Sequence, residues 1–426
     1  MADTFRQYDL VLLGATGYTG KLTAEYITKN LPTDLKWAIA GRNSKKLATI
    51  AVELKKLNPD RPEPAIEICE LKKNELDVLA RKTRLVITTV GPYMKYGEPV
   101  VEACANNGTH YLDCTGEAPW LKDMIEKYHE TAKKNGAIMI PECGLDSVPA
   151  DILSYAIAHH IRTTFSAPTS SVTVSMHDFK GGISGGTSAT ILTLFSYYTL
   201  RQIATALSPF SLSPVRPTST NPPPTGPLLH RLLGIRRIPE LGLLTDGPMA
   251  GVDTVIVHRS WGLYAQSPDP SAHYGAKFRF TEYMRARNIL TGSLFHYSFL
   301  TISLLLMFPP TRLILIPLLQ RFVFPAPGEG PAPDSTHADL VHYRAVGVSD
   351  TPEKQRISAR FEWNGGVYVI TGLTLAEAAM CILRGEMEDT EAGRLGGGML
   401  TPACLGGEYV ERLRRAGVRI EVRGEV

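Results

Sequence analysis

Three glycines near the N-terminus have the clearest chemical potential in this sequence. Gly14, Gly17 and Gly20 stand in GATGYTG, directly after an apolar run and at the head of a stretch with helical spacing. Glycine at such a turn lets backbone N–H groups approach a pyrophosphate, and the helix N-terminus adds partial positive charge. A triplet alone also suits a tight turn without a ligand, but a strand, a helix and a following βαβ unit accompany this one. The pattern predicts a dinucleotide-binding loop of Gly14, Ala15, Thr16, Gly17, Tyr18, Thr19 and Gly20.

The end of the second apolar run indicates which dinucleotide binds. A site selective for NAD places Asp or Glu about 20 residues beyond the glycines, where it binds the ribose 2′-hydroxyl. This chain has Gly41, Arg42 and Asn43 there, followed by lysines and no carboxylate. A guanidinium is a planar partner for a 2′-phosphate. We therefore predict NADP(H) as the cofactor, bound in part by these three residues.

Further turns follow the later apolar runs and should face the same crevice. Gly91, Pro92 and Tyr93 end the fourth run, Gly116 follows the fifth and Gly144 follows the sixth. Purely structural turns use the same residue types. We predict that these five residues line the cofactor site.

A reductase must also place a proton donor beside the site of hydride transfer. Tyr93 and Tyr96 lie just past the fourth run, and Asp146 lies past the sixth. We name these three as candidate catalytic residues, although packing or helix capping would explain each of them. The glycine-rich turn at 181–186 has N–H groups for a substrate carbonyl or thioester; alternatively it is a flexible helix entry.

The spacing of apolar runs predicts the elements that position these residues. Six short β-type runs alternate with helical stretches in the first 150 residues, which is typical of right-handed βαβ crossovers. The predicted fold class is α/β: a Rossmann-like doubly wound parallel sheet (1–150), an inserted α+β domain (151–372) and a C-terminal segment (373–426) that returns to the Rossmann-like domain. In the inserted domain we predict strands at 171–179, 251–260, 275–283, 339–347 and 355–371, and a helix from the glycine-rich turn to Arg201.

Composition excludes several classes of protein. The 426 residues include 45 Lys+Arg and 42 Asp+Glu, a net charge of +3 that is too balanced for an electrostatic nucleic-acid binder. The six cysteines show no CxxC pair or ligand spacing, so we predict neither a metal site nor a disulfide scaffold. The first ten residues lack an apolar signal region. We expect an intracellular enzyme.

Two unusual segments interrupt the second domain. Residues 208–227 contain seven prolines and are expected to form an exposed, poorly ordered insertion. Residues 288–311 carry no formal charge across 24 positions, end at Pro309 and Pro310, and precede a second apolar run. We predict that 289–324 is a short hydrophobic hairpin on a lipid surface. A buried helix or the face of a homodimer is the alternative.

The motifs together resemble one family. GATGYTG (14–20), AGRN (40–43), VGPYMKYGEPVVEAC (90–104), YLDCTGE (111–117), CGLDSVPAD (143–151) and GGGMLTP (396–402) resemble the saccharopine dehydrogenase-like oxidoreductases, which include the trans-acting enoyl reductases. The resemblance implies a Rossmann-like NADP domain, an inserted α/β domain and, as in eukaryotic members, association with membranes or lipid droplets. Members nearest this pattern reduce double bonds in lipid or polyketide-like molecules, whereas saccharopine enzymes reduce an imine in lysine metabolism.

These observations lead to three functional hypotheses. The first is an NADPH-dependent reductase of a C=C (enoyl) bond in a lipophilic substrate, free or carrier-bound, at a membrane or lipid-droplet surface. The second is a soluble dehydrogenase that reduces an imine of an amino-acid derivative. Such a site needs cations for the substrate carboxylates, and the available candidates are Arg201 and Arg259. The third is a non-catalytic NADP-binding protein of lipid droplets.

Overall fold

A computed structural model describes residues 6–218, 227–326, 328–332 and 335–424, and these residues contain two seven-stranded sheets. The first 140 residues supply six strands and six helices in alternation. The strands are β1 (Tyr8–Leu13), β2 (Trp37–Gly41), β3 (Ala65–Ile68), β4 (Thr83–Thr88), β5 (His110–Asp113) and β6 (Ile138–Ile140), and the helices are α1 (Tyr18–Asn30), α2 (Ser44–Leu57), α3 (Lys73–Lys82), α4 (Tyr93–Tyr96), α5 (Glu98–Asn106) and α6 (Ala118–Lys134).

These strands form a parallel sheet, in which β1 pairs with both β2 and β4. The chain order therefore reverses beside β1, and the carboxyl ends of β1 and β4 open a crevice at that point. Leu10, Leu12 and Leu13 of β1 are almost inaccessible to solvent because helices cover both faces. The doubly wound α/β fold predicted from the sequence, with all six strands, is confirmed.

The rest of the chain builds mainly the second sheet. Its elements are α7 (Val148–Phe165), β7 (Thr169–Lys180), α8 (Gly185–Tyr197), α9 (Leu200–Ala206), α10 (Leu228–Leu232), β8 (Ile235–Ile238), β9 (Gly242–Asp246), α11 (Ala250–Tyr264), β10 (Arg279–Arg285), α12 (Ile289–Met307), α13 (Pro309–Phe322), β11 (Leu340–Ser349), β12 (Arg356–Asn364), α14 (Val367–Arg384), α15 (Glu391–Arg394), β13 (Gly398–Met399), α16 (Gly406–Arg415) and β14 (Arg419–Arg423). The strand order β14-β12-β11-β7-β10-β9-β8 makes a mixed sheet.

One predicted strand of this domain is wrong. Residues 251–260 lie in the helix α11, although Val255, Ile256 and Val257 favour strand locally. All three side chains are buried, and so are those of His258 and Arg259, which follow them. The helix therefore lacks an exposed polar face, and its sequence does not show the 3.6-residue period of an amphipathic helix. Tertiary burial, rather than local propensity, decides this element.

Three other boundaries differ from the predictions. The strand expected over 355–371 stops at Asn364, and α14 begins at Val367. The helix expected to run to Arg201 breaks after α8, because Thr199 caps a new helix by accepting the Gln202 N–H. The C-terminal segment is divided: β13 joins the parallel sheet, whereas β14 pairs with β12 of the second sheet.

The proline-rich insertion is also more ordered than expected in its first half. Phe210 and Leu212 are buried, and the guanidinium of Arg259 donates to the Leu212 carbonyl. The apolar side chains anchor this stretch against the domain although the prolines interrupt regular structure. Residues 219–226 of the predicted insertion lie outside the described residues.

Within the part of the chain that the structure describes, two helices are long and apolar enough to cross a membrane by length and composition, α12 and α14. They differ in their surroundings, since α14 is mostly buried within the protein and α12 is mostly exposed. The predicted apolar hairpin corresponds to α12 and α13, which meet at Phe308. A hydrogen bond from the Tyr297 hydroxyl to the Leu232 carbonyl (2.6 Å) and a contact between His296 Nδ1 and Asp246 Oδ2 (2.5 Å) hold α12 on the second sheet.

Candidate active site

The glycine loop lies between β1 and α1, at the edge where the parallel sheet opens. Gly14 has a φ of +96°, which favours glycine, and its N–H donates to the Ala40 carbonyl (3.0 Å). A Cβ on Gly20 would collide with the Gly14 carbonyl oxygen, so this glycine allows the helix to pack tightly on the loop. A Cβ on Gly17 would instead meet only the Gly14 oxygen, at 3.4 Å. Gly17 therefore keeps the outer side of the loop open.

Helix α1 begins at Tyr18 with no side-chain cap at Gly17. The first N–H groups of any helix lack partners within the helix, and here no side-chain cap satisfies them. No acidic residue occupies the first turn either. An anion is the complement of such an end. Ala15 is buried beneath the loop, while Thr16 is exposed and Thr19 is half-buried at its rim.

Tyr18 has a different role from its neighbours in the loop. Its hydroxyl donates to the Pro331 carbonyl (2.8 Å), and its ring makes an edge contact with Tyr368 at 5.2 Å between centroids. Burial raises the pKa of this phenol. Its side chain thus joins α1 to the segment at 328–332 and to α14, while its backbone remains in the predicted loop.

The residues after β2 divide between two tasks. Gly41 ends the strand, and Arg42 is exposed beside it. The Asn43 side chain accepts the Lys46 N–H (3.0 Å) and caps α2. Its side-chain oxygen is therefore engaged in capping the helix, and the contact predicted between Asn43 and the cofactor stays a prediction. Arg42 remains the candidate for the 2′-phosphate.

We expect Arg42→Asp to weaken NADPH binding far more than NADH binding. The change removes a charge-assisted contact of about 1.5–3 kcal/mol, or roughly 10- to 100-fold in affinity, and adds repulsion. Titration of both dinucleotides by fluorescence measures the ratio of dissociation constants. Lys56→Asp, at the far end of α2, is the matched charge control. Equal dissociation constants for NADPH and NADH in the unmodified protein would contradict the assignment.

The turn after β4 contains Gly91 and Pro92, joined by a cis peptide bond. Tyr93 follows at the start of α4 and is buried, with its hydroxyl 3.0 Å from the Thr88 carbonyl oxygen and 3.4 Å from Cys114 Sγ. Burial raises the pKa of this phenol well above its ordinary value. Its side chain therefore links the ends of β4 and β5. Tyr96, at the other end of α4, is half-buried beside Lys95.

A buried glutamate that the sequence did not single out as a functional residue anchors α4. Glu117 accepts the N–H groups of Tyr93 (2.9 Å) and Met94 (2.5 Å) and the hydroxyl of Thr190 in α8 (3.1 Å). Burial raises its pKa to about 7, although these hydrogen bonds favour the ionised form and act in the opposite direction. Glu117 thereby connects the crevice to the second domain.

The two later glycines are explained by close packing. A Cβ on Gly116 would lie 2.9 Å from Asp146 Oδ2, and one on Gly144 would lie 2.9 Å from Cys114 Cβ. Both residues bring the ends of β5 and β6 together. The structure assigns them this packing role, and it places Asp146 directly against the fifth strand end.

Asp146 belongs to a larger group of acids than the sequence indicated. Asp113 ends β5 and accepts the N–H groups of Thr115 and Glu142, both at 2.9 Å. Glu142 follows β6 with a φ of +55°, a strained conformation for this residue type. Burial raises the pKa of Asp113 and of Asp146 to about 6, and it raises the pKa of Glu142 well above its ordinary value.

Two acids of the second domain complete this group. Asp253 in α11 and Glu282 in β10 are buried, and the charged neighbours of Asp253 are Glu282 and Asp146. Sequence reasoning missed Asp253 because its segment was predicted to be a strand. The sequence signal for Asp253 was the presence of an acidic residue within the otherwise mostly apolar segment 251–257.

Comparison with known proteins identifies the family. A family model described as the saccharopine dehydrogenase NADP-binding domain matches residues 10–140. The trans-acting enoyl reductase of Mycobacterium tuberculosis is 31% identical, over 98% of this chain and 98% of its own. A second M. tuberculosis relative, named "Putative trans-acting enoyl reductase", is 33% identical over 99% of both chains. The chain belongs to the saccharopine dehydrogenase-like oxidoreductase family.

The fold agrees with this assignment. Apo saccharopine dehydrogenase (L-Glu forming) from Saccharomyces cerevisiae aligns over 98% of this chain and 100% of its own, with a TM-score of 0.51 and 12% identity. That similarity concerns the fold alone. As a member of the family, this saccharopine dehydrogenase-like protein is an oxidoreductase that binds NADP(H).

The residues of the loop fit this cofactor. Gly17 leaves space outside the loop, the α1 N-terminus has no acid, and Arg42 stands at the end of β2. The first backbone N–H groups of α1 would hold the pyrophosphate, since those of Gly14 and Gly17 are engaged within the loop, and Arg42 would hold the 2′-phosphate. The carboxyl ends of β4, β5 and β6 would then flank the reactive ring.

Proposed function

We propose that this saccharopine dehydrogenase-like protein reduces a C=C (enoyl) bond of a lipid or polyketide-like substrate, free or carrier-bound, at a membrane or lipid-droplet surface. The relatives named trans-acting enoyl reductase support the reaction. The observation that carries the proposal is a structural link between the exposed apolar helices and the cofactor crevice, made by α8.

Helix α8 contacts both regions. At its C-terminal end the Phe195 carbonyl accepts a hydrogen bond from the guanidinium of Arg312 in α13. In its middle Thr190 donates to Glu117 beside the crevice (3.1 Å). At its start the Ser184 N–H donates to the Tyr368 hydroxyl (2.7 Å), and Tyr368 touches Tyr18 of the glycine loop. The helix itself carries no charge, so it suits the passage of an apolar substrate.

The charges at the crevice favour a lipophilic acceptor over an amino-acid imine. Arg259 is buried and its guanidinium donates to the backbone carbonyls of Leu212 and Met399, so it is committed to the fold. Arg201 lies exposed on α9. The acids at the strand ends are Asp113, Glu142 and Asp146. A substrate with several carboxylates would be repelled there.

The lipid surface is supported by the exposed face of α12 and α13. Leu290 and Leu313 are each 77% exposed, and Phe322 is 72% exposed. Contiguous exposed apolar side chains are typical of surfaces that contact lipid or another protein. The segments 227–237 and 285–324 carry seven arginines and no acid, a composition suited to anionic headgroups.

Within this function the chain has three tasks. NADPH, when bound, supplies a hydride to the β-carbon of the enoyl group. The glycine loop and Arg42 orient the cofactor, α8 and the apolar helices exclude water from the substrate, and an acid near the strand ends must protonate the α-carbon. Negative charge that develops on the conjugated oxygen needs a nearby hydrogen-bond donor. We assign this task to the N–H groups of the 181–186 turn other than those of Ser184 and Gly185, which donate to Tyr368 and Glu329.

Reduction of a defined acceptor tests this function. We expect the purified protein to oxidise NADPH with trans-2-decenoyl-N-acetylcysteamine and to form the saturated thioester, measured by absorbance and mass spectrometry. The matched control acceptor is the imine formed from lysine and 2-oxoglutarate. Turnover of the imine alone would favour the saccharopine-type reaction. Absence of turnover with every acceptor would favour the non-catalytic alternative.

A further inference from the structure

Two carboxylic acids face each other in the interior of the second domain. Asp253 lies in the first turn of α11, and Glu282 lies on β10, the strand against which α11 packs. Asp253 is completely buried and Glu282 is 4% exposed. None of their four carboxyl oxygens accepts a hydrogen bond from the described residues.

The surroundings of this pair are acidic. The charged neighbours of Asp253 are Glu282 and Asp146, and Ser147 lies beside it. Tyr343 of β11 borders all three acids. Two ionised carboxylates in contact at such a site would repel each other strongly, because both are buried and the charged neighbours of Asp253 are themselves acids. The pair must therefore hold a proton.

A line of polar groups connects the pair with the crevice. Ser147 lies beside Asp253, and its hydroxyl donates to Glu142 Oε2 (3.2 Å). The backbone N–H of Glu142 donates to Asp113 Oδ1 (2.9 Å), which positions this residue at the strand ends without carrying a proton. Asp113 and Glu142 stand at the carboxyl ends of β5 and β6. Asp146 is partly exposed, so it provides contact with solvent. The line thus runs from the buried pair to the edge where the cofactor binds.

We propose that Asp253 and Glu282 share one proton at neutral pH and that this pair is the proton source for the reduction, with Ser147 and Asp146 between it and the crevice. The inference rests on the proposed function. Hydride addition breaks the C=C π bond and leaves its electron pair on the substrate. The α-carbon takes a proton from the acid line, the pair becomes fully ionised, and solvent restores the proton through Asp146.

The electrostatics of the pair agree with this role. Burial, followed by the contact with Glu282, raises the pKa of Asp253 well above its ordinary value. Burial also raises the pKa of Glu282 to about 7. An acid whose pKa lies near the working pH holds its proton and still releases it.

Protonation of the pair can be tested without any acceptor. The oxidised cofactor carries a positive nicotinamide ring, which disfavours a proton on the nearby acids. Binding of NADP⁺ should therefore release more protons from the protein than binding of NADPH does. Calorimetry in buffers of different ionisation enthalpy measures this difference. Asp253→Asn and Glu282→Gln should each abolish it. Glu391→Gln, which replaces another buried acid with a raised pKa, should leave it unchanged.

Infrared spectra and turnover complete the test. The difference between the infrared spectra of the unmodified protein and of Glu282→Gln at pH 7 should contain one carbonyl band of a protonated carboxylic acid, beside the bands of other buried acids that both proteins share. Reduction of trans-2-decenoyl-N-acetylcysteamine should fall about 100-fold in both variants, with the NADPH dissociation constant unchanged. Thermal melting shows whether Asp253→Asn and Glu282→Gln are folded. If one of them does not fold, the proton release and turnover of the other variant decide the test.

Each outcome has a separate meaning. A loss of differential proton release in the variants, with Glu391→Gln normal, supports the pair as a proton source. No such difference in the unmodified protein, or its persistence in both variants, overturns the proposal. Unchanged turnover in folded variants overturns it as well. If the unmodified protein leaves the thioester unreduced, the proposed substrate class fails, and the calorimetric result still decides on the pair.

Discussion

Gly17→Val is expected to abolish NADPH binding while the protein remains folded. A Cβ at this position meets only the Gly14 oxygen at 3.4 Å, so the protein itself tolerates a side chain there. The branched side chain would occupy the space above the loop and keep the pyrophosphate from the α1 N–H groups. Loss of two charge-assisted hydrogen bonds costs about 3–6 kcal/mol, or at least roughly 100-fold in affinity. Fluorescence titration with NADPH measures the loss.

Two further variants control this experiment. Lys29→Val places the same side chain at the exposed end of α1 and should bind NADPH normally. Gly20→Ala should lower the melting temperature as well as the affinity, because its Cβ would collide with the Gly14 carbonyl. Normal binding isotherms in a folded Gly17→Val protein would show that the loop does not hold the cofactor.

Replacing exposed leucines of the apolar helices should release the protein from lipid. Leu290, Leu304 and Leu313 are 77%, 55% and 77% exposed. Burying a leucine side chain in an apolar phase stabilises by about 1.5–3 kcal/mol. The triple change to Ser should therefore lower binding to vesicles with anionic lipid by roughly three orders of magnitude. Vesicle flotation measures it, with NADPH binding and the melting temperature expected to remain unchanged.

Leu306 provides the matched comparison within the same helix. Its side chain is 5% exposed, so Leu306→Ser should lower the melting temperature and leave the exposed leucines of α12 and α13 in place. A triple variant that becomes monomeric from a dimer would indicate a homodimer face instead. An unmodified protein that never floats with vesicles or lipid droplets would contradict the lipid interpretation.

The sequence alone predicted the parallel sheet and the cofactor loop. Both depend on local relations: apolar runs at regular spacing, glycines after the first run, and Arg42 at the end of the second. Short-range sterics and the partial charge of a helix end act over a few residues, so the sequence is sufficient to reveal them. The family resemblance rests on the same short motifs.

The acid pair became visible only in the tertiary structure. Asp253 and Glu282 are 29 positions apart, on a helix and a strand, and α11 has no amphipathic period because it is buried on nearly every side. The sequence likewise did not show that β14 would pair with β12 of the second sheet. Nor did it show that Leu304 would be exposed and Leu306 buried in the same helix. Burial, contact between distant elements and the resulting protonation depend on how the two sheets pack, and local spacing does not encode that packing.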